Sequence, residues 1–167
     1  MAIFIINTSE IENFSEEFLK NFQKKEISNH KKLMIHCLTY AMLDSILREV
    51  YKINDRTIIF EKAKPVLKNK EKYFSLSHSS EKIAIAFSDY NCGIDIEKAK
   101  AREYRAISKR MKFNCNNLED FYQEWTNFEA SYKLNDEIKS HYYCSIDDYA
   151  LTAVSINPEE KFELFIS

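Results

Sequence analysis

Gly93 is the only glycine among 167 residues, and that scarcity limits what the chain can build more than any other feature. Phosphate loops of the Walker or Rossmann kind are excluded, because each needs several glycines for tight turns and close backbone approach. A phosphate ligand would have to be met by side chains, helix N-termini or a metal ion. Gly93 also sits at the start of a β-type run. A glycine in that setting marks close approach of another backbone or an unusual φ.

The length suits one ordinary domain, or two small halves sharing a core. Hydrophobic residues make up 45% and charged residues 30%, which is a globular composition, and 12 Phe, 10 Tyr and 1 Trp supply core material. The net charge of −2 gives no general attraction to nucleic acid or anionic membrane, so neither is expected as a partner. No run approaches the ~20 apolar residues needed to cross a bilayer. Cys37, Cys92, Cys115 and Cys144 form no C-x-x-C pair, so free thiols in a reducing cytoplasm are expected. The opening run MAIFIINTSE lacks a basic leader and reads as a first strand, not a signal peptide.

Periodicity predicts the following order. A strand covers 2–7. A helix follows with Thr8 or Ser9 as N-cap and Ile11, Phe14, Phe18 and Phe22 on one side. The basic stretch 24–32 joins it to a strong helix over 33–51. A short strand is expected at 57–60, and the charged stretch 62–72, containing Pro65, reads as the boundary between halves. Strands are predicted at 73–77, 82–88 and 92–97, helices at 101–113 and 118–134, and strands at 141–146, 149–156 and 161–166. The result is an α+β arrangement with a mostly antiparallel sheet packed on helices.

Three short segments carry chemistry. In Cys92-Gly93-Ile94-Asp95-Ile96-Glu97 the two carboxylates are two residues apart on a strand and share a face, while Ile94 and Ile96 take the other. Carboxylates this close repel unless a cation sits between them, and hard oxygen ligands suit Mg2+. The same spacing also describes an edge strand with a solvated acidic face. On the helix 118–134, Glu129 and Lys133 are four residues apart and adjacent on the surface, with Thr126 beside them; an exposed ion pair has that spacing too. In Phe74-Ser75-Leu76-Ser77-His78-Ser79, hydroxyls and an imidazole could meet a phosphate, or could form a polar turn.

Taken in order, K-P at Lys64 and Pro65, F-S-x-S-H-S, G-I-D-I-E and W-T-x-x-E-x-x-x-K resemble the surfactin-synthetase-activating type of the 4′-phosphopantetheinyl transferase superfamily. The resemblance runs from about residue 64 to 133. It implies a fold of two related lobes, a reduced N-terminal lobe at 1–63 and a C-terminal lobe at 64–167, with the site in the cleft between them. It also implies transfer of the phosphopantetheine arm of coenzyme A to a serine of an apo acyl or peptidyl carrier protein. By similarity Asp95, Glu97 and Glu129 would bind Mg2+, and Glu129 would take the serine proton. Lys133 would neutralise the pyrophosphate, Ser77 and His78 would hold coenzyme A phosphates, and Lys64 with Pro65 would lie near the nucleotide. Departures from the pattern are Phe128, where the family usually has a lysine, Ala63 in place of a glycine before K-P, and no glycine after Lys133. These departures leave a second expectation, a relative that binds coenzyme A or a carrier protein without transfer.

Overall fold

The computed structural model describes residues 1–9, 11, 14–100 and 104–167. Its described elements are four helices and nine strands in three sheets, an α+β protein. No described helix is long and apolar enough to cross a membrane. The chain forms two compact units, one from Met1–Ile6 with Lys72–Ser167, the other from Asn7–Glu71.

In the unit Asn7–Glu71, α1 (Glu16–Phe22) starts later than the apolar spacing predicts. Ser15 is its N-cap, accepting from the Phe18 N–H at 3.2 Å, and Glu16 and Glu17 then lie against the positive end of the helix. Thr8 and Ser9 do not cap it; the Thr8 carbonyl accepts from the Ile11 N–H instead. The long helix α2 (His30–Glu49) begins before residue 33, because Asn29 Oδ1 caps the Lys32 N–H at 3.0 Å and draws the basic stretch into the first turn. Cys37, Tyr40, Leu43 and Leu47 are its buried side. The charged stretch after residue 57 holds two strands, β2 (Ile58–Glu61) and β3 (Lys64–Leu67), paired antiparallel. Their two-residue loop, Lys62-Ala63, has φ of 48° and 71°, the double positive φ that matches strand twist in a tight hairpin.

The other unit holds two sheets. One has the order β4 (Tyr73–Ser79), β5 (Lys82–Ser88), β1 (Ala2–Asn7), β9 (Glu163–Ile166). β4 and β5 are antiparallel, whereas β1 and β9 run parallel, Ala2 opposite Glu163. The second sheet is antiparallel, in the order β6 (Cys92–Lys98), β8 (Tyr149–Ser155), β7 (Ser140–Ile146). Ile3 and Ile5, Ala84 and Ala86, Ile94 and Ile96, Leu151 and Ala153 are buried together as the core between these sheets. The opposite face of β6 and β8 is covered by α4 (Leu118–Leu134), whose N-cap Asn117 accepts from the Asp120 N–H at 2.8 Å. Ala130 and Leu134 pack on Val154, and Phe121 and Tyr122 on Ala150. The shorter helix α3 (Arg105–Met111) precedes α4; residues 101–103 of the predicted helix lie outside the described residues. All four cysteines are free, with Cys37 and Cys92 buried.

Among the described residues eight non-glycine positions have positive φ, and the lone glycine does not. Turns that favour glycine are therefore made by Lys, Ala, Ser, Asn and Asp. Ala63 lacks the side-chain hydrogen bonding that makes this region tolerable for Asn and Asp. Ala63→Gly should raise the unfolding free energy by about 1 kcal/mol, the usual cost of left-handed backbone less the extra freedom given to the unfolded chain. Chemical denaturation with unchanged slope would confirm it.

Candidate active site

α4 reaches β6 at backbone distance, and Gly93 is the reason it can. A Cβ on Gly93 would lie 2.0 Å from the Ala130 carbonyl oxygen and 3.0 Å from the Leu134 amide nitrogen. These are main-chain atoms, so no rotamer change relieves the clash. A second tie holds the helix one turn earlier. Thr126 and Thr152, both fully buried, join hydroxyl to hydroxyl at 2.8 Å, and Thr126 also donates to the Tyr122 carbonyl at 2.9 Å. Thr152 is the β8 partner of Asp95. With the helix fixed at both places, Glu129 and Lys133 are aimed along β6.

Asp95 is 4% exposed, which rules out a solvated acidic face at this position. Its Oδ1 accepts from Ser77 Oγ at 2.7 Å and from the Lys133 ammonium at 2.7 Å. Lys133 also donates to the Ile94 carbonyl at 3.0 Å. Asp95 Oδ2 is buried with no partner among the described residues. Glu97 accepts from Ser79 Oγ at 2.9 Å through Oε2. Glu129 has its carboxyl held above the usual range, by burial first, then by repulsion from Asp95 and Glu97, with Lys133 opposing. Asp95, Glu97, Glu129 and Lys133 thus share one electrostatic environment, in which three carboxylates face one ammonium.

Ser77 is nearly buried, and its hydroxyl is already engaged. It donates to Asp95 and accepts from the Ile96 N–H at 3.3 Å. Ser75 and Ser79 do the same for the next pleats, accepting from the Ile94 N–H at 3.1 Å and the Lys98 N–H at 3.0 Å. Three serines on one face of β4 therefore satisfy the N–H groups on the free edge of β6 (each such group, buried and unpaired, costs about 1–3 kcal/mol). His78 falls between Ser77 and Ser79 and is on the opposite face of β4, exposed. Lys64 and Pro65 begin β3, in the unit Asn7–Glu71. Phe128, 40% exposed, lies 6.1 Å from the Phe113 ring and 6.3 Å from Trp125, so aromatic packing accounts for it.

Thr152 is a site residue that the sequence reading left without a role, and Ser75 and Ser79, read there only as hydroxyls that could meet a phosphate, instead bind the β6 edge. A signal existed for the serines. S-x-S-x-S repeats every second residue, the same period as D-x-E, so two strands with those patterns can pair side chain to edge. Nothing local marks Thr152.

Do these residues suit a divalent cation? Among the described residues, no three carboxylate, imidazole or thiol groups converge tightly enough to form a closed metal site. The chemistry of the donors does suit one. A buried carboxylate oxygen without a partner faces an excess of negative charge, and Mg2+ is held by one or two carboxylates plus water and substrate oxygens, not by a closed protein cage. A cavity of about 400 Å³ lies elsewhere, lined by Leu118, Tyr122, Tyr143 and Tyr149, and none of the four charged site residues borders it. The chain matches no protein-family model and no curated protein.

Two outcomes follow from this geometry. Gly93→Ala should cost about 1–3 kcal/mol or more, because α4 must move off β6, and urea denaturation reads that loss. The second concerns pH. A carboxyl whose folded pKa is raised stabilises the fold most below the unfolded value, and that contribution is lost as pH rises through the folded value. With chelator present, Glu129→Gln should therefore melt higher than the parent protein by a margin that grows as pH climbs from about 4.3, the ordinary glutamate value. A margin constant with pH would show that Glu129 keeps an ordinary affinity for its proton.

Proposed function

We propose that this protein is a Mg2+-dependent phosphopantetheinyl transferase, moving the 4′-phosphopantetheine arm of coenzyme A to a serine of an apo acyl or peptidyl carrier protein. The observation that carries the reading is the buried Asp95 carboxylate. One of its oxygens is tied by Ser77 and Lys133, the other has no partner, and Glu97 and Glu129 stand beside it. The motif resemblance adds the reaction class. On this reading the fold is the family's two related lobes with the first reduced, and the reaction belongs in the cytoplasm, where carrier proteins are loaded.

In the reaction the carrier serine oxygen bonds to the β-phosphorus of coenzyme A. The pyrophosphate P–O bond breaks, and adenosine 3′,5′-bisphosphate leaves with the electron pair. Asp95, Glu97 and Glu129 would hold Mg2+, which supplies charge neutralisation at the pyrophosphate. Lys133 adds a fixed positive charge beside the same oxygens, where charge grows in the transition state. Glu129 is the group to which the serine proton passes. In the metal-free protein, burial and its acidic neighbours hold that carboxyl above the usual range; a bound Mg2+ would lower it, so the base role rests on the motif resemblance. By the resemblance, His78, exposed on the outer face of β4, is the group assigned to coenzyme A phosphates.

A relative that binds coenzyme A or a carrier protein without transfer is the second reading. Two observations favour it: the Lys133 ammonium is engaged by Asp95 and the Ile94 carbonyl, and Phe128 stands where a further cation is usual. Incubation with coenzyme A, Mg2+ and a panel of apo carrier proteins separates the two. Transfer adds the arm to the carrier serine, seen by intact mass, and Lys133→Met should slow it by about 100- to 1000-fold. Coenzyme A binding with no mass gain on any carrier would leave the second reading standing.

A further inference from the structure

Ser77 and Ser79 are chemically polarised in a way that Ser75 is not. A serine hydroxyl has one proton and two lone pairs. At Ser77 one lone pair takes the Ile96 N–H, and the proton goes to Asp95 Oδ1. At Ser79 the lone pair takes the Lys98 N–H, and the proton goes to Glu97 Oε2. Ser75 takes the Ile94 N–H and touches neither site carboxylate. Each site carboxylate on β6 thus has one oxygen tied to the neighbouring strand. For Asp95 the tie is reinforced by Lys133, and the opposite oxygen is left buried and unpartnered.

We infer that Ser77 and Ser79 are positioning residues for the cation. They hold Asp95 and Glu97 in the one rotation that leaves Asp95 Oδ2 and the second Glu97 oxygen for the metal, and they do not bind phosphate. This rests on the proposed Mg2+ site and assigns it two residues. Groups that orient a metal ligand from behind typically carry a 10- to 100-fold share of metal affinity, so the effect is large enough to measure. It also explains a strand of alternating serines. The β6 edge needs three acceptors, but two of them also need a proton to donate, and a hydroxyl serves both needs.

The test uses MnCl2 alone, without coenzyme A, read by Mn2+ electron paramagnetic resonance on the full chain. Ser75→Ala is the matched control, because it removes a β6 edge acceptor without removing a carboxylate contact. Ser79→Ala is the milder second variant should Ser77→Ala fold poorly. The expected result is Mn2+ affinity reduced about 10-fold or more in Ser77→Ala and Ser79→Ala, unchanged in Ser75→Ala, and restored in Ser77→Thr. Equal loss in all three alanine variants would make the serines edge supports only and overturn the inference. So would unchanged Mn2+ binding in Ser77→Ala with a raised KM for coenzyme A, which returns Ser77 to phosphate binding. If the unmutated protein binds no Mn2+, the cation site itself falls, and the serine roles fall with it.

Discussion

Helix α4 touches strand β6 main chain to main chain at Gly93, and the geometry of the charged cluster depends on that contact. Were the helix farther away, as a side chain at that point would require, the Lys133 ammonium could not reach both the Ile94 carbonyl and Asp95. The rest of the helix is held by ordinary means, Ala130 and Leu134 against Val154 and the buried Thr126–Thr152 pair. These fix its rotation. Only the missing Cβ fixes its distance. That is an unusual use for a chain's sole glycine, since eight other described residues take the positive φ that glycine usually supplies.

The second organising interaction is the junction of two sheets through side chains. β6 is an edge strand, and an unpaired edge leaves a row of backbone donors in need of partners. Serine hydroxyls of β4 take three of these donors, so β4 and β6 are joined without a backbone ladder. Two of the hydroxyls also donate hydrogen bonds to acidic side chains of β6. Structure and charge placement are thereby coupled: the bonds that close the sheet edge also orient Asp95 and Glu97. Of the two readings left open by the spacing, the solvated face does not hold at Asp95, which is buried, while Glu97 is half-buried.

Local pattern made several features legible. The alternation of Ile83, Ile85 and Phe87 marked β5, and Ile94 and Ile96 against Asp95 and Glu97 separated the two faces of β6. The apolar stripe from Leu118 gave the full span of α4. Harder to see were features whose cause is a capping bond or a positive φ. Ser15 overrode the earlier cap positions at α1, and the hairpin β2–β3 was hidden because its turn is Lys-Ala, not the glycine-containing pair that usually marks one.

Taken alone, the sequence determined which residues share a face, because strand and helix periods are set by backbone geometry. It placed Asp95 with Glu97 and Glu129 with Lys133, and flagged Gly93 as a point of close approach. Tertiary structure alone decided what those faces meet. β1 pairs with β9 from the far end of the chain, and Ser77 faces Asp95 and not solvent. The physical reason is that a period of two fixes direction but carries no information about distance along the chain. Which strand edge a hydroxyl reaches is set by the packing of two sheets, a long-range result that no local window of sequence contains.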